Sequence, residues 1–223
     1  WDLPLDSEAT LQAMLDALGT RYLDLVLLPR SARDIAATWS LLEELQRAGL
    51  VRSLGVRGFK AEELETLFPG GAAALEVAQC GFTPYRHGPA RATWRLLGVR
   101  SVALVASGLF TDWPHALAPI RDPHVLAVAS RHGREPSQIL LRWALQLGLA
   151  VVFRASSRQH VAQNVAALGF ELPARDMLLL SSLATLADPE IPPGDGFAHV
   201  YEPQPPDRGP QDRGPRQGRE AEL

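Results

Sequence analysis

The side chains best equipped for chemistry in this chain of 223 residues are six histidines, three tyrosines, one cysteine and one lysine. His87, His115, His124, His132, His160 and His199 never form the close pair that a metal site uses. Only His124 and His132 share a helix-like segment, eight residues apart, so they read as surface residues and no metal is expected. Glu43-Glu44 and Glu62-Glu63-Glu65 fall on polar helix faces and read as solvated charge, not as an acid/base pair. No strand is followed by Gly-x-Gly-x-x-Gly, because "GVRGF" and "GDGFAH" lack the spacing, and neither a Walker loop nor a Gly-x-Ser-x-Gly elbow occurs. One cation stands out. Arg154 ends the apolar run "LAVVF" and precedes Ser156-Ser157 and a helix start, where it either holds phosphate or merely caps the strand.

The elements that would position these groups alternate along the chain. "SEATLQAMLDALGT" puts Leu11, Met14, Leu15 and Leu18 on one stripe, with Asp6 or Ser7 as N-cap and Gly19 as stop, which predicts a helix. "YLDLVLLP" (22–29) is a short, nearly continuous apolar run and predicts a buried strand. A helix over 35–49 with Ile35, Trp39, Leu42 and Leu45 inward, a strand over 50–56, a helix over 60–68 and a strand over 75–79 continue the pattern. Then come a helix near 89–97, a strand over 100–106, and two helices, "DPHVLAVASRHG" and "EPSQILLRWALQLG", each with proline at its start and glycine at its end. A strand over 149–153 and helices over 158–168 and 174–186 complete the series. Strands separated by helices imply right-handed crossovers and a parallel sheet.

Bulk composition sets limits on partners. With 46% hydrophobic and 21% charged residues the chain can bury one substantial core. A net charge of −3 gives no electrostatic reason to expect nucleic acid or an anionic membrane. No apolar stretch approaches the roughly 20 residues needed to span a bilayer. A lone Cys80 excludes an intramolecular disulfide and a cysteine-rich zinc site, which suits a reducing compartment and makes the cytoplasm the default expectation. The opening Trp1 suggests a chain that starts inside a longer protein. The last stretch, "QPPDRGPQDRGPRQGREAEL", repeats Asp-Arg-Gly-Pro with almost no apolar residue. Residues 201–223 are therefore expected to form a disordered tail behind a domain over 1–200.

Three blocks carry a resemblance to a known family. "LDALGTRYLDLVLLP", "TWSLLEELQRAGLVRSLGVRGFKAEELETL" and "DPHVLAVASRHGREPSQILLRWALQLGLAVVFRASSRQHVAQNVAALGFEL" resemble consecutive blocks of the aldo-keto reductases. The resemblance implies an α/β fold, a partial (β/α)8 TIM barrel matching the family's fourth to eighth strands. It also implies NADP(H) bound in an extended pose and a small carbonyl substrate at the carboxyl ends of the strands. The family's catalytic Asp, Tyr and Lys would then precede Trp1, and a protein partner is one way to cover the open barrel. Lys60, Tyr22, Tyr85 and Tyr201 do not stand in the context of the family's catalytic pair, so no catalytic residue is assigned.

The same resemblance assigns a cofactor set and several departures from it. Gln79 matches the glutamine on the nicotinamide amide, and Ser107 and Leu109 match the phosphate-side loop. Arg154 matches a phosphate-binding lysine, Asn164 an adenine-contacting asparagine, and Gln163 stands where Glu is common. His160 replaces an arginine that favours the 2′-phosphate. Pro29 stands in place of the family's histidine, and proline has neither a ring N–H nor an ionisable group. Arg57 and Gly58 replace the Ser-Asn that holds the carboxamide, Ala78 replaces an Asn, and Ala106 replaces the stacking Tyr. Two readings follow: a catalytically impaired relative with a binding or regulatory role, or an NAD(P)H-dependent carbonyl oxidoreductase whose Asp, Tyr and Lys lie upstream.

Overall fold

The computed structural model describes residues 7–67, 75–85, 102–110 and 118–187. The helix expected near 89–97 and the tail over 201–223 lie outside them. Each element begins and ends where local chemistry dictates. Helix α1 (Glu8–Leu18) starts at Ser7, whose hydroxyl accepts from the Thr10 N–H, and stops at Gly19 in the left-handed region at φ 66°. Asp34 caps α2 (Ile35–Arg47) by accepting from the Ala37 N–H at 2.9 Å. Asp122 caps α4 (Pro123–His132), and Gly133 at φ 58° closes it. Proline stands in the first turn of both α4 and α5 (Pro136–Gln146), where no backbone donor is missed. In sequence α3 (Ala61–Leu67) lies between α2 and α4; α6 (Arg158–Val165) and α7 (Ala174–Ala187) end the series. Among the described residues no helix is long and apolar enough to cross a membrane.

Five strands, β1 (Leu23–Pro29), β2 (Val51–Arg57), β3 (Leu75–Gly81), β4 (Ala103–Ser107) and β5 (Ala150–Val152), pair in sequence order, each parallel to the next. The result is a curled half-barrel with helices around it, an α/β arrangement as expected. Buried Leu54, Val56, Ala78, Cys80, Leu104 and Ala106 on the strands join Trp39, Leu42, Val128, Ile139, Leu140 and Trp143 on the helices in one core. The Trp143 ring lies 5.2 Å from that of Phe82, and its indole N–H donates to Ser181 Oγ at 3.0 Å, so α5 ties the sheet to α7.

Several expectations are corrected. Leu18 is 54% exposed although it continues the α1 stripe. The helix expected to run to residue 168 leaves α geometry at Val165 and tightens into a 3₁₀ turn over Ala166–Gly169. The last strand is three residues long. His132 is no surface histidine: its Nε2 lies 2.7 Å from Asp176 Oδ2, while Arg131 Nη2 contacts Asp176 Oδ1 at 2.6 Å. Glu43 and Glu63 are engaged as well. Glu43 accepts from the Trp39 indole N–H at 2.9 Å, and Glu63 accepts from Arg30 Nε and from the Lys60 backbone N–H, both at 2.8 Å.

Two predictions follow from the packing. Gly55 sits where an added Cβ would meet Leu27 Cδ2 and the Val77 carbonyl oxygen, both at 2.5 Å. Gly55→Ala is expected to cost about 2 kcal/mol or more in chemical denaturation, because backbone on one side cannot give way. Asp176 is 1% exposed. Burial alone would raise its carboxyl, but hydrogen bonds from His132 and Arg131 and the charge of Arg131 outweigh that and hold it below its ordinary value. The folded state therefore binds this proton less readily than the unfolded chain. The stability it contributes is complete at neutral pH and is lost as pH falls through the lowered range. Asp176→Asn should cost about 2–3 kcal/mol at neutral pH, and the gap to the parent chain should narrow on acidification; an undiminished gap at pH ~3 would rule out this coupling.

Candidate functional site

Because the sheet is wholly parallel, the last residues of all five strands, Pro29, Arg57, Gly81, Ser107 and Val152, stand at the same end. In-register residues of neighbouring strands share a face, and two rows result. In the first, Pro29 pairs with Arg57, Arg57 with Gln79, Gln79 with Val105, and Val105 with Ala150. In the second, two residues nearer the carboxyl ends, Gly81 pairs with Ser107 and Ser107 with Val152. Arg154 lies two residues past Val152, and α6 begins soon after. The candidate residues thus rise stepwise from β1 toward α6.

The first row is poor in proton chemistry. Pro29 ends an edge strand, the one sheet position where a missing backbone donor does least harm, and Arg30 donates to the Arg57 carbonyl just beyond it at 2.9 Å. Arg57 is exposed, and its guanidinium carries donors but no acceptor. Gly58 follows at φ 81°, in the left-handed region, and its N–H donates to the Gln79 carbonyl. Asn is the side chain best tolerated at such an angle. A cleft of about 830 Å³ opens beside this row, lined by Pro29, Arg30, Arg57, Gly58, Phe59 and Glu63 among others, a size that suits a small molecule. Inside it the Arg30–Glu63 ion pair closes at 2.6 Å, and the Glu63 carboxyl is held below its usual value, first by the Lys60 backbone N–H and then by Arg30.

The second row and the α6 entrance are more polar. Ser107 spends its hydroxyl proton on the Cys80 carbonyl at 2.9 Å. Leu109 is 1% exposed, so its side chain belongs to the core and only its backbone is left to face a ligand. Ala106 is fully buried and offers no stacking face. At α6, Ser157 caps the helix by accepting from the His160 N–H, and His160 Nδ1 lies 3.2 Å from Ser156 Oγ. Exposed Arg154, Arg158 and His160 gather at that N-terminus, a place where helix dipole and side-chain charge both favour an anion. Gln163 and Asn164 are half-buried one turn on. The Gln163 carbonyl accepts from Gln138 Nε2 at 2.9 Å, while Gln138 Oε1 accepts from the Glu135 N–H, which fixes α6 against α5.

Two polar contacts near the carboxyl ends escape sequence reading. Tyr85, past the end of β3, donates its hydroxyl to Asp122 Oδ2 at 2.6 Å while Oδ1 caps α4, so one carboxylate holds both a loop and a helix. Burial, then the hydrogen bond and charge of Asp122, push the Tyr85 phenol well above its ordinary value. Desolvation likewise pushes the Cys80 thiol up to about 11, leaving it protonated at neutral pH. An Asp at a helix start is a visible signal for a cap; its second partner, 37 residues away, is not.

Comparison with known proteins gives one consistent answer. The model described as the aldo/keto reductase family matches residues 6–184. An aldo-keto reductase of Mycolicibacterium smegmatis is 33% identical over 185 residues, 79% of this chain and 62% of that protein. The prostaglandin-E(2) 9-reductase of Oryctolagus cuniculus is 32% identical over 157 residues, 67% of this chain and 49% of that protein. The chain thus spans between 49% and 62% of the length of these two curated relatives. A crystal structure of an aldo/keto reductase from Brucella melitensis superposes with a TM-score of 0.70 at 25% identity, covering 82% of this chain and 70% of that one.

Proposed function

From a chain that belongs to the aldo/keto reductase family, we propose a catalytically impaired reductase-type domain whose remaining role is binding or regulation. One observation carries the proposal: the row Pro29, Arg57, Gln79 brings together no group that gives or takes a proton near neutral pH. Proline has nothing to donate, the guanidinium does not deprotonate, and the amide of Gln79 is neutral. Among the described residues nearby, the Ser107 hydroxyl is committed to a carbonyl and the Cys80 thiol stays protonated. General acid catalysis of carbonyl reduction has no agent in this row.

NADP(H), the cofactor the family suggests, fits unevenly. Its hydride is what a reductase of this family delivers to a carbonyl carbon. Arg154, His160, Gln163 and Asn164 suit the phosphate and adenosine end, because a guanidinium and a helix N-terminus would meet an anion there. The nicotinamide end does not fit. Arg57 projects a charged chain from the level of Gln79, Gly58 has no side chain to hold the carboxamide, and Ala106 has no exposed face. Gln79, Ser107 and the Leu109 backbone are left as weak neutral contacts. No reaction step is assigned through the cofactor.

The second reading, an active NAD(P)H-dependent oxidoreductase of a small carbonyl compound, draws on the 38% of the Mycolicibacterium smegmatis relative's length outside its 62% match, enough to carry an Asp, Tyr and Lys. Titration of the chain with NADPH, followed by nicotinamide fluorescence, separates the two for this chain. No saturable enhancement is expected in the micromolar range, and a micromolar Kd would overturn the impaired reading. Pro29→His with Arg57→Ser and Gly58→Asn should tighten binding by about tenfold or more, about 1.4 kcal/mol of regained contact, if the nicotinamide end is where binding fails.

A further inference from the structure

The cleft of about 830 Å³ beside the first row combines an apolar floor with four charged side chains. Its lining comes from two segments, residues 29–35 at and after the end of β1 and residues 57–67 at and after the end of β2. Buried Phe59 and half-buried Pro29, Ile35 and Leu67 supply the apolar surface. Of the positions that the resemblance ties to cofactor or catalysis, only Pro29, Arg57 and Gly58 touch this cleft. Each departs from the family's residue, so the ligand has to be read from the side chains present.

The charged residues that line the cleft are Arg30, Arg57, Glu62 and Glu63, which sum to zero, and they are engaged unequally. Arg30 and Glu63 already match each other: Nε and Nη2 of Arg30 meet Glu63 Oε1 at 2.8 and 2.6 Å, and Oε2 accepts from the Lys60 N–H at 2.8 Å. That pair braces the end of β1 against α3. Arg57 at the end of β2 and Glu62 in the first turn of α3 are both exposed. A guanidinium carries five donors in a fork that fits a carboxylate, so it can take one in addition to any partner it already has. Glu62 offers the converse, an acceptor for an ammonium group. We propose that this cleft binds a small zwitterion with an apolar body, a free apolar α-amino acid or a short apolar peptide. Its carboxylate lies on Arg57, its ammonium on Glu62, and its apolar part on Phe59, Ile35 and Leu67. A plain anion would meet the two carboxylates and a plain cation the two guanidinium groups, and either would leave the cleft with an unbalanced charge. A molecule carrying one charge of each sign leaves the sum at zero.

The inference rests on the reading of this domain as one that binds without turnover. That reading fails on micromolar NADPH binding, whereas this one is judged by titrations run without cofactor. The full chain is titrated calorimetrically with L-leucine and with L-leucyl-L-leucine. A Kd of about 1 mM or below is expected for at least one, and the tighter of the two tells amino acid from peptide. Acetylating the amine or amidating the carboxylate of that probe should each weaken binding by about fivefold or more. In Arg57→Gln the advantage over the amidated form should disappear, and in Glu62→Gln the advantage over the acetylated form, with each variant keeping the other. Both positions are exposed, so the variants should melt as the parent chain does by circular dichroism. No binding of either probe at about 10 mM, a blocked form that binds the parent chain as tightly as the zwitterion, or an advantage that survives its folded variant would overturn the inference.

Discussion

A parallel strand cannot return by a tight turn. Each passage from the carboxyl end of one strand to the start of the next needs a crossover of about a dozen residues or more, in practice a helix. In this chain that constraint holds four times in succession, from β1 to β5. It sends every helix to the outside and every strand end to one side. The chemistry of the carboxyl ends is therefore separated from the packing that holds the fold: Leu54, Val56, Ala78 and Ala106 face the helix layer, while Pro29, Arg57, Gln79 and Ser107 alternate with the core positions at the strand ends.

Close approach within the sheet narrows the sequence further. At Gly55 the strands β1 and β3 crowd the position from both sides, so the shape of the half-barrel is set partly by a residue with no side chain. On the outside, polar contacts do the joining. Asp176 receives Arg131 and His132 from the end of α4, and Gln138 links the start of α5 to α6. A buried carboxylate held by an arginine and an imidazole fixes geometry more than it adds stability, since desolvation offsets much of the attraction. Losing one partner is the expensive event.

Much of this was legible from the sequence because it depends on neighbours along the chain. Ser7, Gly19 and Gly133 act within one turn of where they stand, and the strand and helix periods appear directly as apolar spacing. Long-range contacts were not legible. Glu63 looked like solvated charge until Arg30 met it from 33 residues away, and His132 looked superficial until Asp176 reached it from 44. Leu18 failed differently: it continues the stripe, yet its side chain is 54% exposed. At the site, sequence supplied the identities Pro29, Arg57 and Gln79. Their alignment in one row came from register, a property no single strand encodes.

That separation lets residues at the strand ends differ without disturbing the fold. Pro29 does not disturb the ladder, because an edge strand tolerates proline and the ladder resumes at Arg30. Arg57 extends into solvent and leaves the burial of Val56 and Phe59 on either side intact. The left-handed turn at Gly58 needs no side chain, since glycine adopts φ 81° without strain. None of these three residues is among those that select the fold. The opposite holds at α6, where Ser157 still caps the helix and Arg154 and His160 still crowd its N-terminus. There the features that would hold an anion are also features that start the helix, and a residue serving both ends is harder to lose than one serving catalysis alone.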